Sequence, residues 1–297
     1  MTAGFLLSLL LGVVWAALGA SVAQARRKGC PICCFYTVGT ATAALLAWCA
    51  LGFRMPGSAG ELRLLLPYLT AAAFFNSLGQ MIAMYNLKAS GRVLAYALPQ
   101  TNFIFPFLFA GLFLGGIISL WNLIGIVLIV AGICLSANGR QDKEKKSSGV
   151  LLSGRELLLG TAASFSCGLS QIALLLAVES SETSAALKSA LFLTVSTLFY
   201  ALGMIRSGRP APELLRKTLG LGIVWGVLAL LSYRILFGAL EIMEKFHRSG
   251  VVFAISCSGA IIFFWLFSAL KLCDRVSSRQ LLILGLILAG ILAVRLG

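Results

Sequence analysis

The chain has 297 residues, of which 59% are apolar and 11% charged, and its mean hydropathy is +0.97. A soluble domain is roughly 45–50% apolar and 25% charged, so this composition excludes an ordinary soluble enzyme and predicts an all-α membrane protein. The net charge of +14 does not predict a nucleic-acid partner, because the basic residues follow a membrane topology.

Ten apolar runs follow one another along the chain. Each has a length near that of a membrane-spanning helix, which needs about 20 residues. They cover residues 3–23, 31–52, 65–87, 93–113, 119–137, 156–178, 184–205, 219–240, 249–270 and 279–296. The polar segment 138–155 separates the fifth run from the sixth, and we expect it to be a cytoplasmic linker. The sequence therefore predicts two five-helix halves, 1–137 and 156–297.

Basic residues concentrate in alternate loops. The loops after the first, third, fifth, seventh and ninth runs hold 17 of the 24 Lys and Arg residues, whereas the termini and the remaining loops hold six, among them Lys188 and Lys245. Basic residues in short loops mark the cytoplasmic side, so both termini are predicted outside. The basic residues follow the first and third runs of the first half but the second and fourth runs of the second half. This pattern predicts that the two halves have opposite orientations in the membrane.

The two halves also end on similar residues. Ser90-Gly91 opens a stretch that closes on Ala131-Gly132, and Ser249-Gly250 opens one that closes on Ala289-Gly290. Together with the opposite charge patterns, this predicts ten transmembrane helices arranged as two inverted repeats. Inverted-topology repeats are typical of transporters that work by alternating access.

A family resemblance rests on the carboxyl-terminal end of the second half. Cys273-Asp274-Arg275-Val276-Ser277, followed by Leu288-Ala289-Gly290, resembles the end of an EamA-type repeat, with Asp274 in place of the usual glutamate. The chain as a whole resembles the drug/metabolite transporter superfamily. Trp15 and the basic turn Arg26-Arg27-Lys28 are similar to the sugar-uptake branch, which implies a solute-binding role for Trp15.

Polar side chains within the apolar runs are candidates for solute binding, because a polar group in hydrocarbon is costly and normally faces a cavity or a partner. Amides, hydroxyls and aromatic faces suit a neutral polyhydroxylated solute. The alternative is that these groups bridge helices, and we expect that use for the small hydroxyl residues such as Ser166, Ser170 and Ser256. The candidates besides Trp15 are Asn76, Gln80, Tyr96, Gln100, Asn102, Gln171 and Arg234.

Arg234 is the one basic residue well inside a predicted run, and it lies within one position of the repeat equivalent of Asn76. A buried Arg would require a carboxylate, and Glu179 and Glu241 are the available ones. The alternative is that Arg234 extends to the outer interface. Glu179 and Glu241 are also the best candidates for proton coupling, whereas Glu182 and Glu244 are expected to be solvated loop residues.

The sequence thus predicts a secondary active transporter in the cell membrane that moves a small neutral metabolite, such as a sugar. The alternative is an exporter of amino acids, drugs or other metabolites on the same scaffold. An enzyme is not expected, because one histidine and ten scattered carboxylates form no acid–base cluster. No cofactor or metal is expected either. The expected partners are a small-molecule solute, the bilayer and a coupling proton or other ion, and a homodimer is left open.

Overall fold

The computed structural model describes residues 1–54, 59–90, 98–139, 154–207, 212–272 and 278–296. Within these ranges the chain forms α-helices and one short 3₁₀ helix but no β-strand, so the all-helical class is confirmed. The helices are α1 (Thr2–Arg27), α2 (Ile32–Ala50), α3 (Ala59–Ser90), the 3₁₀ helix (Leu98–Phe103), α4 (Ile104–Phe113), α5 (Leu120–Gly139), α6 (Gly154–Glu179), α7 (Ala185–Ser207), α8 (Pro212–Glu244), α9 (Ser249–Leu272) and α10 (Ser278–Leu296).

Five helical segments of the described ranges are long and apolar enough to cross a membrane, which indicates a membrane protein. They are Thr2–Arg27, Ile32–Ala50, Leu158–Glu179, Ala185–Ile205 and Pro212–Glu244. Shorter apolar segments are Thr101–Phe113, Leu120–Gly132, Ser249–Phe263 and Gly285–Leu296. Most of the expected linker 138–155 lies outside the described residues.

Glycines end two of the helices where the backbone must turn to positive φ. Gly29 after α1 has a φ of 71°, and the next N–H, of Cys30, donates back to the Ala25 carbonyl at 3.0 Å. Gly115 after α4 has a φ of 66°. A side chain disfavours this conformation, so glycine allows short connections from α1 to α2 and from α4 to α5.

Contacts between helix termini define two ends of the bundle. At the first, the Arg295 guanidinium of α10 lies 4.9 Å from the ring centroid of Phe5 on α1, and we call it the terminal end. At the opposite end, Nη2 of Arg155 on α6 donates to the Tyr85 hydroxyl of α3 at 3.1 Å. These pairings are those of helices that alternate in direction along the chain.

The most extensive contacts between helices show an exchange symmetry. If each helix is replaced by the one five places before or after it, every contact of this set becomes another contact of the same set. Helix α3 packs on α6 as α8 packs on α1, and α1 packs on α9 as α6 packs on the 3₁₀–α4 segment. Helix α2 packs on α8 as α7 packs on α3. Three further pairs map onto themselves: α2 with α7, α4 with α9 and α5 with α10.

Buried positions recur in the same way. Shifting by 153 positions takes the buried residues Cys34, Phe35, Tyr36, Gly39, Thr40, Ala43 and Ala47 of α2 onto the buried residues Leu187, Lys188, Ser189, Phe192, Leu193, Ser196 and Tyr200 of α7. Shifting by 157 positions takes Leu65, Leu69, Ala72, Gly79 and Ala83 of α3 onto Gly222, Gly226, Ala229, Leu236 and Leu240 of α8. These shifts define which residues we call counterparts below.

The buried apolar residues form two clusters. The larger one runs through the bundle and includes side chains of α1 to α10. The smaller one, which we call the opposite-end cluster, lies where α1, α3 and α7 end and α2 begins. Its members are Val22, Ala25, Cys30, Phe35, Tyr36, Met84 and Tyr200.

Candidate functional site

Asn76 of α3 and Tyr233 of α8 meet inside the bundle. The Asn76 amide lies close to the Tyr233 hydroxyl. Phe192 of α7 packs against the Tyr233 ring, with a centroid separation of 4.4 Å. The 157-residue shift makes Tyr233, rather than the neighbouring Arg234, the counterpart of Asn76. The contact therefore joins equivalent points of the two halves.

Asn102, in the 3₁₀ helix, lies beside two buried thiols. Sγ of Cys257 on α9 donates to Oδ1 of Asn102 at 3.5 Å, and Cys167 of α6 also lies close to Asn102. A thiol is a weak donor, so these contacts satisfy the amide oxygen only weakly. Asn102 thus brings the 3₁₀–α4 segment, α6 and α9 together around one polar group.

Several interior side chains of the described ranges carry a buried polar atom without a hydrogen-bond partner: Ser77, Gln171, Ser180, Ser196 and Arg234. Gln171 of α6 is only 8% exposed, and its Oε1 is the unpaired atom. The Ser77 hydroxyl lies beside Tyr200 but outside hydrogen-bond geometry. An unsatisfied buried polar group costs about 1–3 kcal/mol, so these atoms are suited to receive water or a solute.

The remaining sequence candidates fall into three groups. Trp15 is engaged with the protein, because its Nε1 donates to Ser232 Oγ of α8 at 2.8 Å. Gln80 is partly buried on α3, one turn beyond Asn76. Tyr96 and the side chain of Gln100 lie outside the described residues.

Small hydroxyl residues hold helices together, as expected. Ser166 and Ser170 of α6 each donate to a backbone carbonyl of α3 at 2.8 Å. Ser256 of α9 donates to a carbonyl of α1 at 2.9 Å. These hydroxyls use their protons to bind the backbone of a neighbouring helix, so only their oxygen lone pairs are left to accept from a solute.

An ion pair between a buried lysine and a partly exposed glutamate lies at the terminal end. Lys188 Nζ, in the first turn of α7, is 3.0 Å from Glu241 Oε1, in the last turn of α8, and the Lys188 side chain is 1% exposed. The topology argument counted Lys188 as a loop residue, whereas the structure buries it within a helix. The signal that could have identified it is a single lysine inside an apolar run, which normally has a partner. Glu241 is therefore paired with Lys188 rather than with Arg234. Arg234 has no carboxylate partner in the described part of the chain.

Glu244 is not the solvated loop residue expected from the sequence. It is the last residue of α8, partly buried, and its carboxyl lies close to that of Glu179 at the end of α6. It lies four residues beyond the predicted membrane run 219–240. Burial raises the pKa of Glu244, the negative charge of Glu179 raises it further, and Lys188 opposes the shift.

A shallow groove of about 640 Å³ runs along the outside of α3 rather than into the interior. Its wall is apolar except for Arg63 and Thr70, and Phe199 of α7 closes one side. The groove holds none of the sequence candidates, so it does not compete with the interior side chains as the candidate site.

The cysteines at the start of α2 are free thiols: Cys30, Cys33 and Cys34. Within the described residues, no group of three or more His, Cys, Asp or Glu side chains is placed to hold a metal ion. The candidate site therefore consists of amides, hydroxyls, thiols and aromatic rings.

No family model and no curated protein matches the sequence. Among solved structures, one described only as the crystal structure of a protein matches with a TM-score of 0.71. The match covers 99% of this chain and 98% of that one at 15% sequence identity. At this identity the likeness shows a shared fold over the whole chain.

Proposed function

We propose that this protein is a secondary active transporter that moves a small neutral polar solute, such as a sugar, across a membrane by alternating access. In this proposal all ten α-helices take part in crossing the membrane, the fourth with its 3₁₀ segment. Residues 1–137 and 156–297 form two inverted repeats, and the solute binds between them. Proton coupling through Glu179 and Glu241 is part of the proposal.

The observation that carries the proposal is the exchange symmetry of the helix contacts. A set of pairs that is unchanged when α1–α5 trade places with α6–α10 is what two similar halves facing each other would produce. The recurring buried positions support the same interpretation, because α2 and α7 bury equivalent faces, and so do α3 and α8. Repeats of this kind are typical of transporters whose halves rock about a central site.

The chemistry of the interior supports a neutral polar solute. Gln171 offers an unpaired amide oxygen, Asn102 offers an amide that the protein satisfies weakly, Asn76 offers a further amide, and Tyr233 adds an aromatic face and a hydroxyl. Such groups recognise hydroxyls by donating and accepting hydrogen bonds. Because they lie on helices of both halves, a solute bound among them would contact both repeats.

The test is uptake of labelled solutes by purified protein in liposomes, with monosaccharides, amino acids and cationic drugs side by side, with and without a pH gradient. We expect saturable uptake of a neutral polar solute. Gln171→Met removes the unpaired oxygen at similar volume, so uptake should fall roughly 2- to 10-fold, the value of one hydrogen bond. The melting temperature should stay the same or rise.

Gln24→Met is the matched control, because Gln24 is exposed near the end of α1. It should transport like the wild type. If no solute moves into liposomes that contain well-folded protein, the transporter proposal fails. If Gln171→Met transports normally, the proposed position of the solute is wrong.

Arg234 favours a second candidate, export of amino acids or other metabolites that carry a carboxylate. Its Nε is buried without a partner, and no carboxylate of the described residues pairs with it. A solute carboxylate would supply the missing negative charge. Cells that express the protein should then survive toxic amino-acid analogues better than cells that express Arg234→Gln.

A further inference from the structure

The ion pair of Lys188 and Glu241 is the feature of the terminal end that the proposed solute site does not use. It joins the first turn of α7 to the last turn of α8 through one contact of 3.0 Å, and the lysine is almost wholly buried. Burying an ammonium requires its counter-charge, since removing one partner leaves an uncompensated charge in the interior. The pair therefore ties the two helix ends together strongly while it is intact.

The counterparts of these two residues lie at the opposite end and are apolar. The 153-residue shift relates Lys188 to Phe35, and the 157-residue shift relates Glu241 to Met84. Phe35 and Met84 both belong to the opposite-end cluster, with Tyr36 stacked on Tyr200 at 4.9 Å. Equivalent positions thus join the helix ends by charge at one end and by packing at the other.

This difference is informative because the fold accepts an apolar contact at the equivalent place. Well-packed apolar residues often stabilise a protein as much as a buried ion pair or more. Stability alone therefore does not explain a lysine at position 188. An ion pair differs from an apolar contact in that it is a single interaction, which is lost when its two charged groups separate and become hydrated.

We propose that Lys188 and Glu241 form an ionic latch that closes the terminal end of the bundle and opens once in each transport cycle. The inference rests on the proposed alternating-access function. When the latch is intact, α7 and α8 shield the interior from the side of the membrane that faces the termini. When it is broken, the interior becomes accessible from that side, while the opposite-end cluster keeps the other end closed.

Native cysteines report on this opening without any knowledge of the solute. Cys167 and Cys257 are 6% and 1% exposed in the interior, whereas Cys49 of α2 is exposed. Right-side-out and inside-out membrane vesicles that contain the protein are each treated with a membrane-impermeant maleimide, and mass spectrometry measures the modification of each cysteine over time. We expect Lys188→Gln and Glu241→Gln to speed modification of the interior cysteines about tenfold or more, since either removes the direct ionic contact between α7 and α8.

The charge-swapped double variant, Lys188→Glu with Glu241→Lys, should return the modification rate towards that of the wild type. Glu182→Gln and Lys245→Gln are the matched controls, because both residues are exposed in neighbouring turns, and neither should change the rate. Cys49 should react similarly in every variant, which shows that the protein reached the membrane folded.

Wild-type rates in both single variants would overturn the latch, and so would fast modification that the swapped pair fails to reverse. Neither result depends on transport being measured. Failure of the latch is therefore distinguishable from failure of the transporter proposal, which the liposome assay decides.

Discussion

Burial acts differently on two charged side chains at the terminal end. Lys188 is buried but has Glu241 in direct contact, so its charge is compensated. Glu244 is partly buried beside another carboxyl group, that of Glu179, so its charge is opposed. Two like charges at short range favour protonation of one of them.

Glu244 should make the stability of the protein depend on pH. Its pKa is raised above the reference value of 4.5, so the folded state binds a proton more tightly than the unfolded state. The resulting stabilisation is fully present below the unfolded pKa and is lost as the pH rises through the folded pKa. Glu244→Gln should therefore melt at a higher temperature than the wild type at neutral pH, and this difference should shrink as the pH falls towards 4.5.

Melting temperatures of purified protein between pH 4 and pH 8 measure this effect. Glu182→Gln is the control, because that carboxylate is exposed in the turn between α6 and α7. Its curve should run parallel to that of the wild type. A constant difference between Glu244→Gln and the wild type across the range would contradict the prediction.

A residue could be predicted from the sequence when its type is unusual within an apolar run. Asn76 and Gln171 stand out because an amide in an apolar run needs a reason to be there. Tyr233 does not stand out, since tyrosine is also a core residue, and only its contact with Asn76 identifies it. The sequence argument offered Glu179 and Glu241 as carboxylates for Arg234, and the structure pairs Glu241 with Lys188, because composition does not say which of two cations a carboxylate reaches.

Helices α2 and α8 approach closely at two glycines. A Cβ on Gly226 would lie 2.4 Å from the Gly39 carbonyl oxygen, and a Cβ on Gly39 would lie 2.4 Å from the Trp225 ring. Small residues allow such approach between membrane helices. These glycines are counterparts of other buried positions, so the close packing is part of the recurring pattern.

Gly226→Ala should therefore destabilise the protein, by roughly 1–3 kcal/mol as for other overpacked sites. Gly220→Ala is the matched control on the same helix, because no atom lies within 4 Å of its Cβ position. Thermal unfolding in detergent compares the two variants. Equal melting temperatures would show that α2 and α8 are less tightly packed than the structure indicates.

Helix positions were predicted better than helix lengths. The structure extends α3 to Ala59–Ser90 and α8 to Pro212–Glu244, beyond the predicted runs 65–87 and 219–240. Hydropathy marks only the part that lies in hydrocarbon, whereas backbone hydrogen bonds continue a helix into polar residues such as Glu213 and Glu244. The 3₁₀ turn before α4 has no hydropathy signal at all.

At the scale of the whole molecule, the two chain termini lie at one end of the bundle. Arg295 of α10 lies over the Phe5 ring of α1, which fits an even number of crossings. The basic loops predict that this end faces away from the cytoplasm. Alkaline phosphatase fused after Gly297 should thus be active, whereas green fluorescent protein fused there should not fluoresce.

The matched control for this topology test is the same pair of reporters placed in the segment 140–153, which should give the reverse result. A fluorescent carboxyl terminus would invert the orientation of the whole chain. The latch would then close the cytoplasmic side.

The exchange symmetry of the helix contacts has a consequence for conformations other than the one described. Placing each helix on the coordinates of its counterpart gives a second arrangement of the same chain that keeps the most extensive helix pairs. In that arrangement Lys188 and Glu241 would occupy the positions of Phe35 and Met84, and the apolar residues would occupy theirs. Under the proposed alternating access, this second arrangement is the one we expect for the opposite state, and the two states should differ most where counterpart residues differ in chemistry.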